Sequence, residues 1–315
     1  MKNLIKTIIA VTVISGVALY ANCAYGSTHK YYFITHGSAD FYWEALFNGA
    51  RQAAKDLNVQ LQVNAPPGAN DIAAQVRLLR NALAANPAGI ALTCPSETAF
   101  SYVLKQAHNK AIPVIVVDTK PENTKNNPFD SFIGSNNYKL GQALADKAIK
   151  SGKVKDRILI ANPQGGNIGL EQRASGIKAV MKKHGVKVDE LIVGTDPGQV
   201  QLLTSACLKK NTHTSAVITL TSQSLIPIAN LVRKNKLSTA VFTFDNTPGT
   251  AQFIKEGIVN FTIAQQPFMM GYFAVTQMVL KQKYGLQPVD INTGYNFVTP
   301  ENVAKVLPLI KKGIR

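Results

Sequence analysis

Short apolar runs alternate with amphipathic stretches along almost the whole chain. Runs rich in β-branched and aromatic residues predict buried strands at 31–35, 60–63, 89–93, 113–117, 131–134, 157–161, 191–194, 216–220, 241–244 and 260–264. Most gaps carry the 3.6-residue apolar period of a helix, for example at 43–57, 72–85 and 99–109. Strand and helix alternating in this order predict an α/β fold of doubly wound parallel sheets. No short repeat, low-complexity tract or long linker interrupts the alternation. About 290 residues follow the N-terminal segment discussed below, more than one core usually holds, so two α/β lobes are expected.

The stretch 241–267 shows the pattern at its clearest. Val241 to Phe244 suit a buried strand, and Asp245 stands where it runs out. Thr247 and Pro248 read as an N-cap and first helical residue, and Gly257 as the stop. A second strand at 261–264 ends in Gln265, Gln266 and Pro267. Ligands of open α/β sheets bind beyond the carboxyl ends of strands, where Asp245 and Gln265 both lie. Taken alone, Asp245 also fits a helix-capping or turn aspartate.

The N-terminus adds a compartment. Lys2 and Lys6 precede an apolar run over 8–20, and Ala24-Tyr25-Gly26 offers small residues for cleavage. An apolar run of about 13 residues fits a secretory signal better than a membrane span of about 20. Residues 1–26 are therefore expected to be a signal peptide cut after Gly26, with Cys23 as an alternative cut or lipid attachment site, and an uncleaved anchor as a further alternative. The exported chain would be periplasmic. Its two remaining cysteines, Cys94 and Cys207, fall in different expected lobes, where a disulfide would lock any hinge, so both are read as free thiols.

The formal charge of +16 falls to +14 without Lys2 and Lys6. Its lysines are scattered or paired at helix ends, as at Lys182 and Lys183 or Lys209 and Lys210, and read as solvated helix faces. There is no basic arm, helix-turn-helix head or aromatic-basic stripe, so nucleic acid is not an expected partner. No Cys or His cluster suggests a metal, and no phosphate loop or nucleophile elbow suggests a cofactor or covalent catalysis.

Other candidate chemistry also sits at strand ends. Thr35-His36-Gly37-Ser38-Ala39-Asp40-Phe41-Tyr42-Trp43 joins the first strand to a helix and holds the only tryptophan. Aromatic faces beside fixed polar groups suit a sugar ring, whose CH faces stack and whose hydroxyls need partners. Phe41 and Tyr42 could also simply staple the helix into the core. Val114-Ile115-Val116-Val117-Asp118 is a buried strand ending in a carboxylate. A Gly-rich turn after Asn162 opens a helix carrying Arg173, whose planar fork suits a vicinal diol or a ring oxygen with its neighbour. Pairing of Arg173 with Glu171 at the surface is the alternative. Asp196, Thr221 and Gln223 follow two further strands.

These segments together resemble the ribose-binding family of periplasmic sugar receptors over about residues 30 to 298. The resemblance rests on Thr-His-Gly…Asp-Phe-Tyr-Trp, Val-Val-Asp118, the helix Arg173 and Phe-Asp245…Ala-Gln265-Gln-Pro. It implies a type I periplasmic binding fold, with two doubly wound lobes joined by a three-crossover hinge. The lobes would be 28–134 plus 266–290 and 135–265 plus 291–315. It implies ligand contacts from His36, Asp40, Tyr42, Trp43, Asp118, Arg173, Asp245 and Gln265, and by position from Thr221, Gln223 and Asp196. The first loop is nearest a branch for sugars and polyols, including inositol. Thr119 stands where ribose receptors often carry Arg, which argues against ribose, and Phe41 replaces a frequent Pro. The expected function is capture of a neutral cyclic sugar or polyol by hinge closure and its delivery to an ABC permease, by a monomer with no cofactor. A sensory sugar receptor and, behind it, a periplasmic sugar-processing enzyme are the alternatives.

Overall fold

A computed structural model describes residues 30–314 except Ala39 and Ala69, so the expected signal peptide and Cys23 lie outside the described residues. The first lobe begins β1 (Lys30–Ile34), α1 (Phe41–Asp56), β2 (Gln60–Asn64), α2 (Ile72–Ala84), β3 (Gly89–Thr93), α3 (Ser101–Asn109), β4 (Val114–Val117) and β5 (Ser131–Gly134). The chain then crosses and builds α4 (Asn137–Lys150), β6 (Arg157–Asn162), α5 (Ile168–Lys183), β7 (Lys187–Ile192), α6 (Pro197–Lys210), β8 (Thr214–Thr219), α7 (Ser222–Lys234), β9 (Ala240–Phe244), α8 (Pro248–Lys255) and β10 (Phe261–Ala264). It returns through α9 (Pro267–Tyr284) and β11 (Ile291–Asn292), and ends on β12 (Asn296–Val298) and α10 (Val303–Lys311).

The two sheets have matching orders, β11-β5-β4-β3-β1-β2 and β12-β10-β9-β8-β6-β7. Every pairing is parallel except that of β12 with β10. Alternation along β1 shows how sequence drives layering: Tyr31 and Phe33 pack toward α1 and α9, whereas Tyr32 and Ile34 pack toward α2 and α3. The same two-faced burial, β strand against helix on each side, recurs in the second lobe. Cys94 and Cys207 are free thiols.

The chain passes between lobes at 134–137, 264–267 and 292–296, so the hinge has three crossovers. They are tied to one another: Ser135 donates to the Gly294 carbonyl at 2.7 Å, and the Gln266 side-chain amide donates to the Thr293 carbonyl. Because β11 pairs with β5, the first lobe continues to Asn292 rather than stopping at 290. The strand expected at 191–194 begins instead at Lys187. It is an edge strand, half exposed, whose charged residues break any apolar run, and Asp189 pairs there with Arg157 of β6 at 2.7 Å. β11 and β12 are too short to leave an apolar signature.

In each lobe two helices lie backbone to backbone. A Cβ at Gly271 of α9 would overlap the Leu46 carbonyl of α1, and one at Gly141 of α4 would overlap the Arg173 carbonyl of α5. α1, which carries Tyr42 and Trp43, and α5, which carries Arg173, are thus each set by a glycine on a neighbour.

Candidate functional site

The carboxyl ends of both sheets face one another across a cavity of about 60 Å³. Ten of the eleven side chains singled out in the sequence line it: His36, Asp40, Tyr42, Trp43, Asp118, Arg173, Thr221, Gln223, Asp245 and Gln265. The lobes touch around it. Gln223 donates to Asp40 Oδ2 at 3.4 Å, Gln172 donates to Glu122 Oε1 at 2.8 Å, and the Ile168 N–H donates to the Pro95 carbonyl at 3.1 Å.

On the first-lobe side, Asp40 caps α1 by accepting from the Tyr42 and Trp43 N–H groups at 3.0 and 3.2 Å. Its second oxygen accepts from Gln223 across the cleft. Burial raises its pKa against the pull of those N–H groups. The cap fixes the first helical turn, which presents Tyr42 and Trp43 edge to face, 5.1 Å apart. His36 lies edge-on to Trp43 at 4.8 Å, and its Nδ1 is 2.8 Å from Thr93 Oγ1. Burial drops the His36 pKa to about 4, so the ring is neutral at pH 7. Asp118 follows β4 with φ 63°, a left-handed conformation for a non-glycine residue. It accepts hydrogen bonds from the Tyr42 hydroxyl and, at 2.9 Å, from Thr119 Oγ1.

On the second-lobe side, Arg173 is 5% exposed on α5. Its Nε donates to Asn137 Oδ1 at 2.9 Å and its Nη1 to the Leu220 carbonyl at 2.8 Å, while the guanidinium lies over the Phe244 ring at 4.7 Å. Its nearest carboxylate is Asp245, at 3.9 Å, and not Glu171, which binds the Gly166 N–H. Asp245 follows β9 with φ 70°. Burial pushes its pKa up to about 6, overriding the opposing Arg173 charge, which stands too far for a direct hydrogen bond. Gln265 donates to Asp245 Oδ1 at 3.4 Å.

Residues 31–285 match the family described as periplasmic binding protein domain. The chain belongs to the periplasmic binding protein family. A periplasmic sugar-binding protein of an ABC sugar transporter from Legionella pneumophila is 46% identical, with TM-score 0.82 over 84% of this chain and 99% of that one. A carbohydrate transporter protein from Acidothermus cellulolyticus, solved in complex with myo-inositol, is 28% identical, with TM-score 0.83 over 91% of this chain and 100% of that one. The xylose/arabinose-binding protein of Sulfolobus acidocaldarius is 23% identical over 93% of this chain and 78% of its own length.

Three polar atoms on the walls of this family member's cavity are buried without a partner among the described residues: Asn70 Oδ1, Thr221 Oγ1 and Gln265 Oε1. A buried polar atom left unpaired is costly, so these mark where a ligand's polar groups would be received. The sequence reading missed Asn70. It sits at φ 59° just before Asp71, the cap of α2, in the loop after β2. That loop is also at a carboxyl strand end, the signal that located the others. Asn137, which orients Arg173, gave no signal because it lies in a hinge crossover. Asp196 does not line the cavity. It is exposed and caps α6, accepting from the Gln199 N–H at 2.8 Å.

Proposed function

We propose that this protein captures a neutral cyclic sugar or polyol, inositol-like or hexose, in the cleft and delivers it to an ABC permease from the periplasm. One observation carries the reading: Asp40, Asp118 and Asp245 surround the cavity with Arg173 as the one cationic group lining it. Ionised carboxylates accept hydrogen bonds and cannot donate, so they suit hydroxyls and repel an anionic ligand. His36, neutral at pH 7, adds no compensating charge. Asn70, Thr221 and Gln265 supply further unpaired polar atoms, and Tyr42 and Trp43 supply the ring-facing surface. Thr119 in place of a second guanidinium weakens the case for ribose.

Hinge closure around a ligand is the established motion of periplasmic binding proteins. Three crossovers here join two lobes that touch through few side chains, which suits that motion. Binding without turnover is supported by the way the polar groups are used. His36 is held by Thr93, Asp40 by its helix cap and Tyr42 by Asp118, so these groups orient one another as a fixed binding surface. Among similar proteins, one was solved with myo-inositol and another is a xylose/arabinose binder, which supports the class without selecting the sugar.

Mass spectrometry of what leaves the purified protein on mild denaturation tests the reading. A neutral sugar or polyol, unchanged on return to the protein, is expected. An amino acid, nucleoside or sugar phosphate would overturn the ligand class, and a chemically altered sugar would overturn the binding-only role.

A further inference from the structure

Positive charge is divided unequally between the lobes. Residues 30–134 and 267–292 of the first lobe hold 11 Lys and Arg against 9 Asp and Glu, a formal +2. Residues 135–266 and 293–314 of the second hold 20 against 9, a formal +11. Topology then sorts the second lobe's charge. Its central strands are parallel with their carboxyl ends at the cleft, so each connecting helix runs back and ends at the opposite pole. There α5 ends on Lys182 and Lys183, α6 on Lys209 and Lys210, and α4, α7 and α8 each on at least one lysine. Those four named lysines are exposed, and none has a carboxylate within 4.0 Å among the described residues.

Cations in the last turn offset the helix dipole, but the fold does not require so many. In the first lobe α1 ends on one lysine, α2 on no basic residue, α3 on a histidine, and α9 on Lys281 and Lys283, of which Lys281 is paired with Asp130. The excess belongs to one pole of one lobe.

We propose that this pole, opposite the cleft, rests on an anionic phospholipid surface. The charges are spread over the ends of five helices and are mostly lysines, solvated point charges on long stems. They match a plane of mobile headgroups better than a single shaped ligand. Sequence-specific nucleic acid binding would need an element shaped for a groove, and the pole is built of helix ends and short loops. A molecule lying on this pole keeps its cleft clear of the membrane contact. The proposal stands on the charge distribution and does not depend on which ligand the cleft takes.

The test uses protein recovered from the periplasm and sedimented with vesicles of phosphatidylcholine alone or mixed with phosphatidylglycerol. Wild type should bind only the mixed vesicles, and binding should fade with salt. The variant K182E/K183E/K209E/K210E should bind at least about tenfold more weakly, with the corresponding Lys→Gln variant in between. The first-lobe variant K55E/K105E/K110E/K125E has the same net charge change and should stay close to wild type. Ligand affinity of the cleft should be unchanged in all three, which reports that they fold. Failure of wild type to bind the mixed vesicles, equal losses in both lobe variants, or tighter binding to duplex DNA than to vesicles at the same salt would each overturn the proposal.

Discussion

Asp118 and Asp245 occupy equivalent places in the two lobes. Each follows the third strand inward from the hinge-strand edge of its sheet, each has a left-handed φ (63° and 70°), and each donates its N–H to the adjacent strand, to the Ile133 and Ile263 carbonyls at 3.0 Å. The repeated topology thus aims two carboxylates at one cavity from opposite sides. Asn tolerates the left-handed region as Asp does, so Asp118→Asn and Asp245→Asn should fold and lose only the charge. A hydrogen bond to a charged group contributes about 1.5–3 kcal/mol, so calorimetric titration should show roughly ten- to a hundredfold weaker binding in each variant. Wild-type affinity in both would return these residues to a local structural role.

The pH dependence of affinity follows from Asp245. Protonation turns an acceptor into a donor, and its pKa is raised to about 6. Affinity for a hydroxyl-bearing ligand should therefore fall as pH drops through about 6, and Asp245→Asn should flatten that part of the profile.

Stability should show two opposed contributions. Asp245 holds a proton in the native state that the unfolded chain releases, so its contribution favours folding at low pH and is lost as pH rises from about 4 to about 6. His36 is the reverse. The unfolded ring takes a proton that the native ring refuses until about pH 4, so stability rises with pH from about 4 to about 6.5. Each of these two shifts corresponds to about 3 kcal/mol, so they should largely offset one another in the wild type, with Asp40, whose pKa burial also raises, adding to the Asp245 side. Urea melts of Asp245→Asn should become more stable with rising pH, and those of His36→Gln less stable. Parallel profiles in both variants would contradict the assignment.

Arg173 is a structural and a binding residue together. Replacement by Ala would leave the Leu220 carbonyl, Asn137 and Asp245 short of a partner, costing about 1–3 kcal/mol or more of apo stability as well as affinity. Gly141→Ala separates the roles. It keeps the guanidinium but pushes α5 away at the Arg173 carbonyl, so affinity should fall while Gly152→Ala, in an exposed loop, leaves affinity unchanged.

Much of this molecule was legible in its sequence because its central strands are buried on both faces and stand out as apolar runs. Edge strand β7 carries Lys187, Asp189 and Glu190, so its start was misplaced, and β11 and β12 were invisible at two and three residues. Asp118 and Asp245 were readable as carboxylates where such runs end. Asn70 and Asn137 were not, because their importance depends on a loop conformation and on a contact with Arg173 that no local pattern encodes. The charge asymmetry was equally hidden, since Lys182 and Lys209 become neighbours in kind only once helices are assigned to a lobe and a pole.

A thermal-shift panel across inositol isomers, pentoses, hexoses, sugar phosphates, amino acids and nucleosides tests the central claim most directly. A ligand at about a hundred times its dissociation constant adds about 2.7 kcal/mol to stability. For a chain of this size that is a rise in Tm of about 4–5 °C. The account predicts such a rise for a neutral cyclic sugar or polyol and none for sugar phosphates, and a rise confined to phosphates, amino acids or nucleosides would contradict it.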